Sequence, residues 1–127
     1  MIEALFNQTN YLAARKVLDA AAMRHEAIAA NLANAETPGY RRVDLAPSFS
    51  TELQQAIAAN EPSRVSALQP QLAPDATAVA GTRDGNTVQL ETELMNLQQN
   101  TLTHAVGTQL LTGALLKLRL AITGRAS

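Results

Sequence analysis

Residues 30–41 read Ala-Asn-Leu-Ala-Asn-Ala-Glu-Thr-Pro-Gly-Tyr-Arg, and this stretch decides where the first long helix of the chain ends. Neither proline nor glycine occurs before Pro38. The proline ring disfavours the helical conformation of Thr37, and Pro38-Gly39 suits the two central positions of a type II turn. The sequence therefore predicts a helix over residues 4–35 that ends in a sharp turn.

The apolar side chains of this first helix recur every seven residues, which is typical of a helix that packs along a helical partner. Many of them are alanines, which allow the partner to approach closely. The seam residues that we single out are Leu18, His25 and Ile28.

Residues 87–123 show the same seven-residue repeat, with leucine at most seam positions. Glu91 and Glu93 fall in the first turns of the predicted helix, where we expect them to be solvated and favoured by the helix dipole. Gly124 is placed to end the helix. The seam residues of this helix are Leu90, Leu94, Leu97, Leu111, Leu115 and Leu118.

A second apolar stripe lies off this seam. One helical partner covers one stripe, so a second stripe requires another surface. In a chain of this size we expect that surface to belong to another molecule. The residues of this predicted inter-subunit stripe are Met95, Leu102, Val106, Leu116 and Leu120.

The segment between the two helices is broken by prolines and glycines and has no sustained periodicity. Pro47-Ser48 favours the start of a short helix, and residues 77–82 are consistent with a weak strand. The predicted fold is mainly α, with long N- and C-terminal helices packed as an antiparallel coiled-coil-like pair. Within this single unit we distinguish residues 1–39, residues 40–86 and residues 87–127.

Composition excludes several classes of function. The 127 residues carry 10 Lys+Arg against 11 Asp+Glu and no cysteine, so we expect neither nucleic-acid binding nor thiol chemistry. Nucleophile and phosphate-binding motifs are absent, as is the basic start of a secretory signal, and charged residues interrupt the most apolar stretch, residues 105–122. We predict neither an enzyme nor a membrane-inserted protein.

The two histidines, His25 and His104, both fall at seam positions. Such a histidine could be a metal ligand or a proton switch, or a polar seam residue that sets helix register or faces a wet interface. No histidine or carboxylate cluster flanks either one at ligand spacing, so the sequence favours the polar seam residue and predicts no metal site and no cofactor.

The end of the first helix resembles the N-terminal signature of the bacterial flagellar axial proteins, the rod and hook group. In that signature an Asn-(Ile/Leu)-Ala-Asn run leads into Thr-Pro-Gly-Tyr. On the residues alone, the two asparagines are either subunit contacts or a polar patch at the helix end. The residues that carry the resemblance, and that we expect at subunit contacts, are Asn31, Leu32, Asn34, Thr37, Pro38, Gly39 and Tyr40.

The C-terminal part is similar to the short subunits of the proximal rod. The resemblance lies in residues 84–88, in Glu93-Leu94-Met95 and in the helix end, residues 118–122. Gln89 stands where that family commonly has a helix-capping aspartate.

The resemblance implies a structural subunit of the flagellar basal body rod, exported unfolded through the flagellar type III apparatus without a cleaved signal. The implied partners are other copies of the chain, other rod proteins, and MS-ring and export-gate components at the rod base. The alternative is a soluble helical adaptor or export chaperone, which would share the heptads but remain a discrete folded oligomer.

Overall fold

The computed structural model describes residues 8–81 and 83–124 of the chain. Two long helices at the ends enclose a middle of short elements, which confirms the mainly α class. In chain order the elements are α1 (Gln8–Ala33), β1 (Val43–Leu45), α2 (Pro47–Ala58), α3 (Pro62–Ala67), β2 (Leu72–Pro74) and α4 (Leu90–Thr123).

The helices α1 and α4 pack antiparallel along each other. At one end Asn31 of α1 contacts Glu93 of α4, and further along the Nδ2 of Asn100 donates a hydrogen bond of 2.8 Å to the carbonyl of Ala21. Contact residues with higher numbers in α4 therefore pair with lower numbers in α1, as antiparallel packing requires. The predicted antiparallel helix pair is confirmed.

The face that α4 turns toward α1 is set by polar and small residues. Glu93, Asn100 and Gly107, spaced by seven, are its buried residues. A Cβ atom at Gly107 would lie 3.0 Å from the Cδ2 of Leu18, so the absent side chain is what permits this close approach. The periodicity of large apolar residues does not reveal these three contact positions, because none of them is a large apolar residue.

α1 also packs against α2 and α3. α2 begins at Pro47, as predicted, because proline at the first helical position needs no hydrogen-bond acceptor for its nitrogen. The Oγ1 of Thr9 donates a 2.7 Å hydrogen bond to the Oδ1 of Asn60 and fixes the far end of α2 beside the start of α1. The buried cluster between these helices comprises Ala13, Ala20, Phe49, Leu53, Ala56 and Val65.

The middle segment contains a two-stranded antiparallel sheet in which Val43 pairs with Pro74. The prediction of a strand over residues 77–82 is wrong for the described residues 77–81, which form no strand. The physical reason is local: both the backbone N–H and the hydroxyl of Thr77 donate to the Oδ1 of Asp75 and hold the chain in a turn.

The helix ends follow local chemistry. Gly39 has φ 72° and the N–H of Tyr40 donates to the carbonyl of Thr37, as a type II turn requires, so the predicted stop is confirmed. α1 ends at Ala33, two residues before its predicted end, and residues 4–7 of that prediction lie outside the described part. Gly124, with φ 65°, ends α4 in the left-handed conformation.

Candidate functional site

The end of α1 and the start of α4 meet in a set of buried and half-buried polar side chains. We call this set the polar cluster, and its members come from α1, the residue before β1, β1 itself, the loop after β2, the loop before α4 and α4. They are Asn31, Arg42, Asp44, Asp75, Asn86 and Glu93.

Asn31 is fully buried and uses its whole hydrogen-bonding capacity within the chain. Its Nδ2 donates to the carbonyl of Val43 at 2.8 Å and to the Oε2 of Glu93 at 3.3 Å. Its Oδ1 accepts from the N–H of Val43 at 2.9 Å and from the hydroxyl of Tyr40 at 3.3 Å. One side chain thereby joins α1, the turn after it, β1 and α4.

Asn86 stabilises the C-terminal end of α1 from outside the helix. Its Nδ2 lies 2.9 Å from the carbonyl oxygen of Asn34, 3.1 Å from that of Ala35 and 2.8 Å from that of Thr37. These carbonyls lie in the turns that follow Ala33, where those of Asn34 and Thr37 also accept backbone N–H groups, so the amide ties the turns after α1 to the loop before α4. Its Oδ1 accepts from the N–H of Val88 at 2.7 Å, which orients the amide.

Arg42 is the charged centre of the polar cluster. Its Nε donates to the Oε1 of Glu93 at 2.6 Å, its Nη1 to the Oδ2 of Asp75, and its Nη2 to the Oδ2 of Asp44 at 3.1 Å. The Nε of Arg24 donates to the other carboxylate oxygen of Asp44 at 3.0 Å. The planar guanidinium, with its donors pointing in fixed directions, suits the binding of three carboxylates from three parts of the chain.

The charges of the cluster stabilise one another. Burial opposes the charged form of Arg42, but its bonds to Glu93 and Asp44 outweigh that effect and raise its pKa. Burial likewise opposes ionisation of Asp44, yet the N–H of Leu45 and the guanidinium of Arg24 hold its pKa below the usual value. The bonds from Thr77 and Arg42 lower the pKa of Asp75 too, so both aspartates are ionised near neutral pH.

The expectation that Glu93 is solvated is wrong. Its side chain has no exposed surface and binds Arg42 and Asn31, whereas Glu91 is exposed in the same turn. The two glutamates lie two residues apart and so face different sides of the helix. Only the tertiary position of Arg42 reveals which of them is the buried one.

A different surface is formed by α4 beyond its contact with the polar cluster. Many of its large apolar side chains are exposed, and Ile122 is 75% exposed. An apolar groove of about 290 Å³ runs between the two long helices there, lined in part by Ala14, Val17 and Val106. By length and composition alone α4 could cross a membrane, with a mean hydropathy of 1.3 over its most apolar stretch. One such helix is weak evidence of a membrane span, because core helices of soluble proteins and signal sequences meet the same criterion. The exposed apolar residues of α4 are Leu90, Leu94, Met95, Leu102, Val106, Leu110, Leu115, Leu116 and Ile122.

The residues predicted to form the helix seams and the inter-subunit stripe differ in how far they are exposed. Of the seam residues, Ile28 is buried and Leu18 lies half-buried against Gly107. Leu90, Leu94 and Leu115 are exposed, at 56%, 46% and 47%. The half-buried seam residues of α4 are Leu97, Leu111 and Leu118. Within the predicted inter-subunit stripe Leu120 is half-buried, and the exposed members are Met95, Leu102, Val106 and Leu116.

The motif residues likewise divide into buried, half-buried and exposed ones. Asn31 lies inside the chain, and Asn34 bonds locally, its Nδ2 to the carbonyl of Ala30 and its Oδ1 to the hydroxyl of Thr37. Leu32 and Tyr40 are half-buried, and the exposed residues are Thr37, Pro38 and Gly39. Contact of these residues with another subunit stays a prediction, since the single chain engages the asparagines itself.

His25 and His104 are both exposed and line an open groove together with Glu26. No group of three or more metal-binding side chains occurs within residues 8–81 and 83–124.

Sequence reasoning missed the residues that do most to join the two long helices: Arg42, Asn86, Glu93 and Asn100. Arg42 follows Arg41 in a basic pair, which on sequence alone could dock an acidic neighbour or be an ordinary solvated pair. A usable signal was nonetheless present, because Glu93, Asn100 and Gly107 follow the same seven-residue spacing as the leucines.

A model of the family described as flagella basal body rod protein matches residues 13–41, which cover most of α1 and the turn after it. No curated protein matches the chain significantly. The family of that description is a structural one of the flagellar basal body rod. Over α1 and its Thr-Pro-Gly turn, which make up less than half of the chain, the sequence is similar to the flagellar basal body rod proteins.

Proposed function

We propose that the chain is a subunit of the proximal rod, similar to FlgB, and that it polymerises through α1 and α4. In the assembled rod these helices form part of the drive shaft and of the wall of the export channel. The partners are further copies of the chain, the other rod proteins, and MS-ring and export-gate components at the base. The subunit is exported through the type III apparatus without a cleaved signal and takes its place in the periplasm-spanning rod.

The observation that carries this proposal is the exposure of α4. Leu110, Leu116 and Ile122 are 62%, 54% and 75% exposed on a helix that is otherwise regular to Thr123. Burying each such side chain contributes about 1.5–3 kcal/mol, so a row of them provides a large driving force for association. The polar cluster supports the same proposal, because it holds the two helices in one register before a partner binds.

Deletion of the gene followed by electron microscopy of isolated basal bodies tests the proposal. We expect rings that lack a rod, and restoration of the rod when the intact gene is returned. Intact rods in the deletion strain would refute the proposal. A discrete soluble oligomer that binds rod subunits but is absent from purified basal bodies would instead indicate the adaptor or export chaperone.

A further inference from the structure

The end of the molecule where α1 begins and α4 finishes is basic. We call residues 8–20 with residues 107–124 the distal end, since Leu18 contacts Gly107 and places these two ranges side by side. Nearby on α3, the Oε2 of Glu61 and the Nη1 of Arg64 lie 3.6 Å apart, so these two charges compensate each other. The distal end holds four cationic residues and one carboxylate, namely Arg15, Lys16, Lys117 and Arg119 against Asp19.

The opposite end of the helix pair is acidic. We call residues 24–45 with residues 75–100 the polar end, because the polar cluster lies in it. It holds seven carboxylates against the four arginines Arg24, Arg41, Arg42 and Arg83. The carboxylates are Glu26, Glu36, Asp44, Asp75, Asp84, Glu91 and Glu93.

Exposed apolar side chains accompany the charges at both ends. At the distal end Leu116 and Ile122 are 54% and 75% exposed beside Lys117 and Arg119. At the polar end Leu90 and Met95 are 56% and 69% exposed in the turns that also present Glu91. The two ends therefore match in apolar character and are opposite in charge.

The net positive charge of the distal end and the net negative charge of the polar end are too far apart to neutralise each other within one molecule. Glu91 and Lys117 are separated by 26 residues of continuous helix, which is about 40 Å at 1.5 Å per residue. The screening length at physiological salt is about 8 Å, so each end keeps its own field. Complementary fields of this kind steer association and select its orientation.

We propose that the distal end of one copy docks on the polar end of a second copy, so that copies of the chain join head to tail. This inference rests on the proposed rod function and names the partner of the α4 surface. A contact between two different surfaces of the same chain does not close on itself unless the rotation allows a ring, and otherwise it builds a filament. An anionic membrane would satisfy the distal end alone and leave the acidic polar end, with its exposed apolar side chains, without a partner.

A charge swap tests the docking. The distal variant carries Lys117→Glu and Arg119→Glu, and the polar variant carries Glu36→Lys and Glu91→Lys; all four positions are exposed. In sedimentation velocity with the full chain, each variant alone should self-associate at least tenfold more weakly than the wild type. An equimolar mixture should regain association, because each acidic end then meets a basic one. The control Glu52→Lys, on the exposed face of α2, should associate like the wild type.

Three outcomes would overturn the docking: wild-type association in both variants, a mixture that stays dissociated although circular dichroism shows helical variants, or no wild-type self-association. Binding of the wild type to phosphatidylglycerol vesicles, lost in the distal variant while self-association is unchanged, would assign the distal end to a membrane. Returning each variant to a deletion strain separates the two proposals. Rods built by both variants would refute the docking and leave the rod function intact, whereas wild-type basal bodies without this chain would refute the rod function.

Discussion

The polar end and the distal half of α4 show two opposite ways of using a helix. At the polar end a fully buried glutamate and a fully buried asparagine hold α4 against α1, and every described buried side-chain nitrogen or oxygen has a hydrogen-bond partner. In the distal half the helix carries leucines and isoleucine, and most of them face solvent. Polar contacts therefore hold α4 against α1 at the polar end, whereas the distal half of α4 keeps most of its large apolar side chains exposed.

The largest effect should come from removing Glu93. Glu93→Ala leaves the guanidinium of Arg42 buried with one partner fewer, which should lower the free energy of unfolding by about 3–5 kcal/mol in urea denaturation. Glu91→Ala, an exposed change in the same turn, is the matched control and should stay within about 0.5 kcal/mol of the wild type.

The double variant Arg42→Met/Glu93→Leu removes both buried charges and should recover part of the stability that Glu93→Ala loses. Equal losses for Glu93→Ala and Glu91→Ala would contradict the distinction between the two ends, since both regions would then be held by weak surface contacts.

Asn86→Ala should give the next largest loss. The variant leaves the carbonyls of Asn34, Ala35 and Thr37 without their common donor, and the expected cost is about 1–3 kcal/mol. Hydrogen exchange should show faster exchange at residues 34–42 and unchanged exchange around Phe49 and Leu53. Uniform acceleration over the whole chain would mean that the polar end is not a separate element of stability.

Two glycines of α4 should respond in opposite directions. Gly107→Val places a branched side chain against Leu18 and should destabilise the chain by about 1–3 kcal/mol. At Gly113 nothing lies within 4 Å of an added Cβ, so Gly113→Ala should stabilise α4 by about 0.5–1 kcal/mol. Thermal denaturation of both variants checks the signs, and stabilisation by both would show that α4 does not approach α1 closely at Gly107.

Acid should weaken the polar end selectively. The pKa values of Asp44 and Asp75 are lowered in the folded chain. Their ionisation therefore contributes fully to the free energy of unfolding above the unfolded pKa of about 4, and this contribution is lost as the pH falls through the folded pKa values. Unfolding measured between pH 6 and pH 2 should show this loss. Asp44→Asn should reduce the slope in that range, and an unchanged slope would remove Asp44 from the explanation.

The smallest effect on the single chain should come from the distal half. Leu116→Ser and Ile122→Ser should change the free energy of unfolding of dilute protein by less than about 0.5 kcal/mol, because both side chains are already exposed. Leu53→Ala, in the buried cluster, is the contrasting control and should cost about 2–5 kcal/mol. The two serine variants should nevertheless assemble poorly into rods when returned to a deletion strain.

The boundaries of the long helices and the turn at Pro38-Gly39 could be predicted because they depend on local conformational preferences. Proline restricts its neighbour, glycine accepts positive φ, and both effects act within two or three residues. The antiparallel pairing was also predictable, since two amphipathic helices must cover each other. The strand pairing of Val43 with Pro74 could not be predicted, because it joins segments about thirty residues apart with no strong pattern in either.

By itself the sequence determined that this chain forms two long helices, the first of which ends in a motif similar to that of the flagellar rod proteins. The tertiary structure alone decided which face of α4 meets α1. The spacing of apolar residues predicts that the most hydrophobic face of α4 packs on α1. In the structure the face that packs on α1 is instead the one that carries the hydrogen bonds of Glu93 and Asn100 and the missing side chain of Gly107. Because those contacts exist only between distant segments, the local sequence does not reveal which leucines of α4 are half-buried and which are exposed.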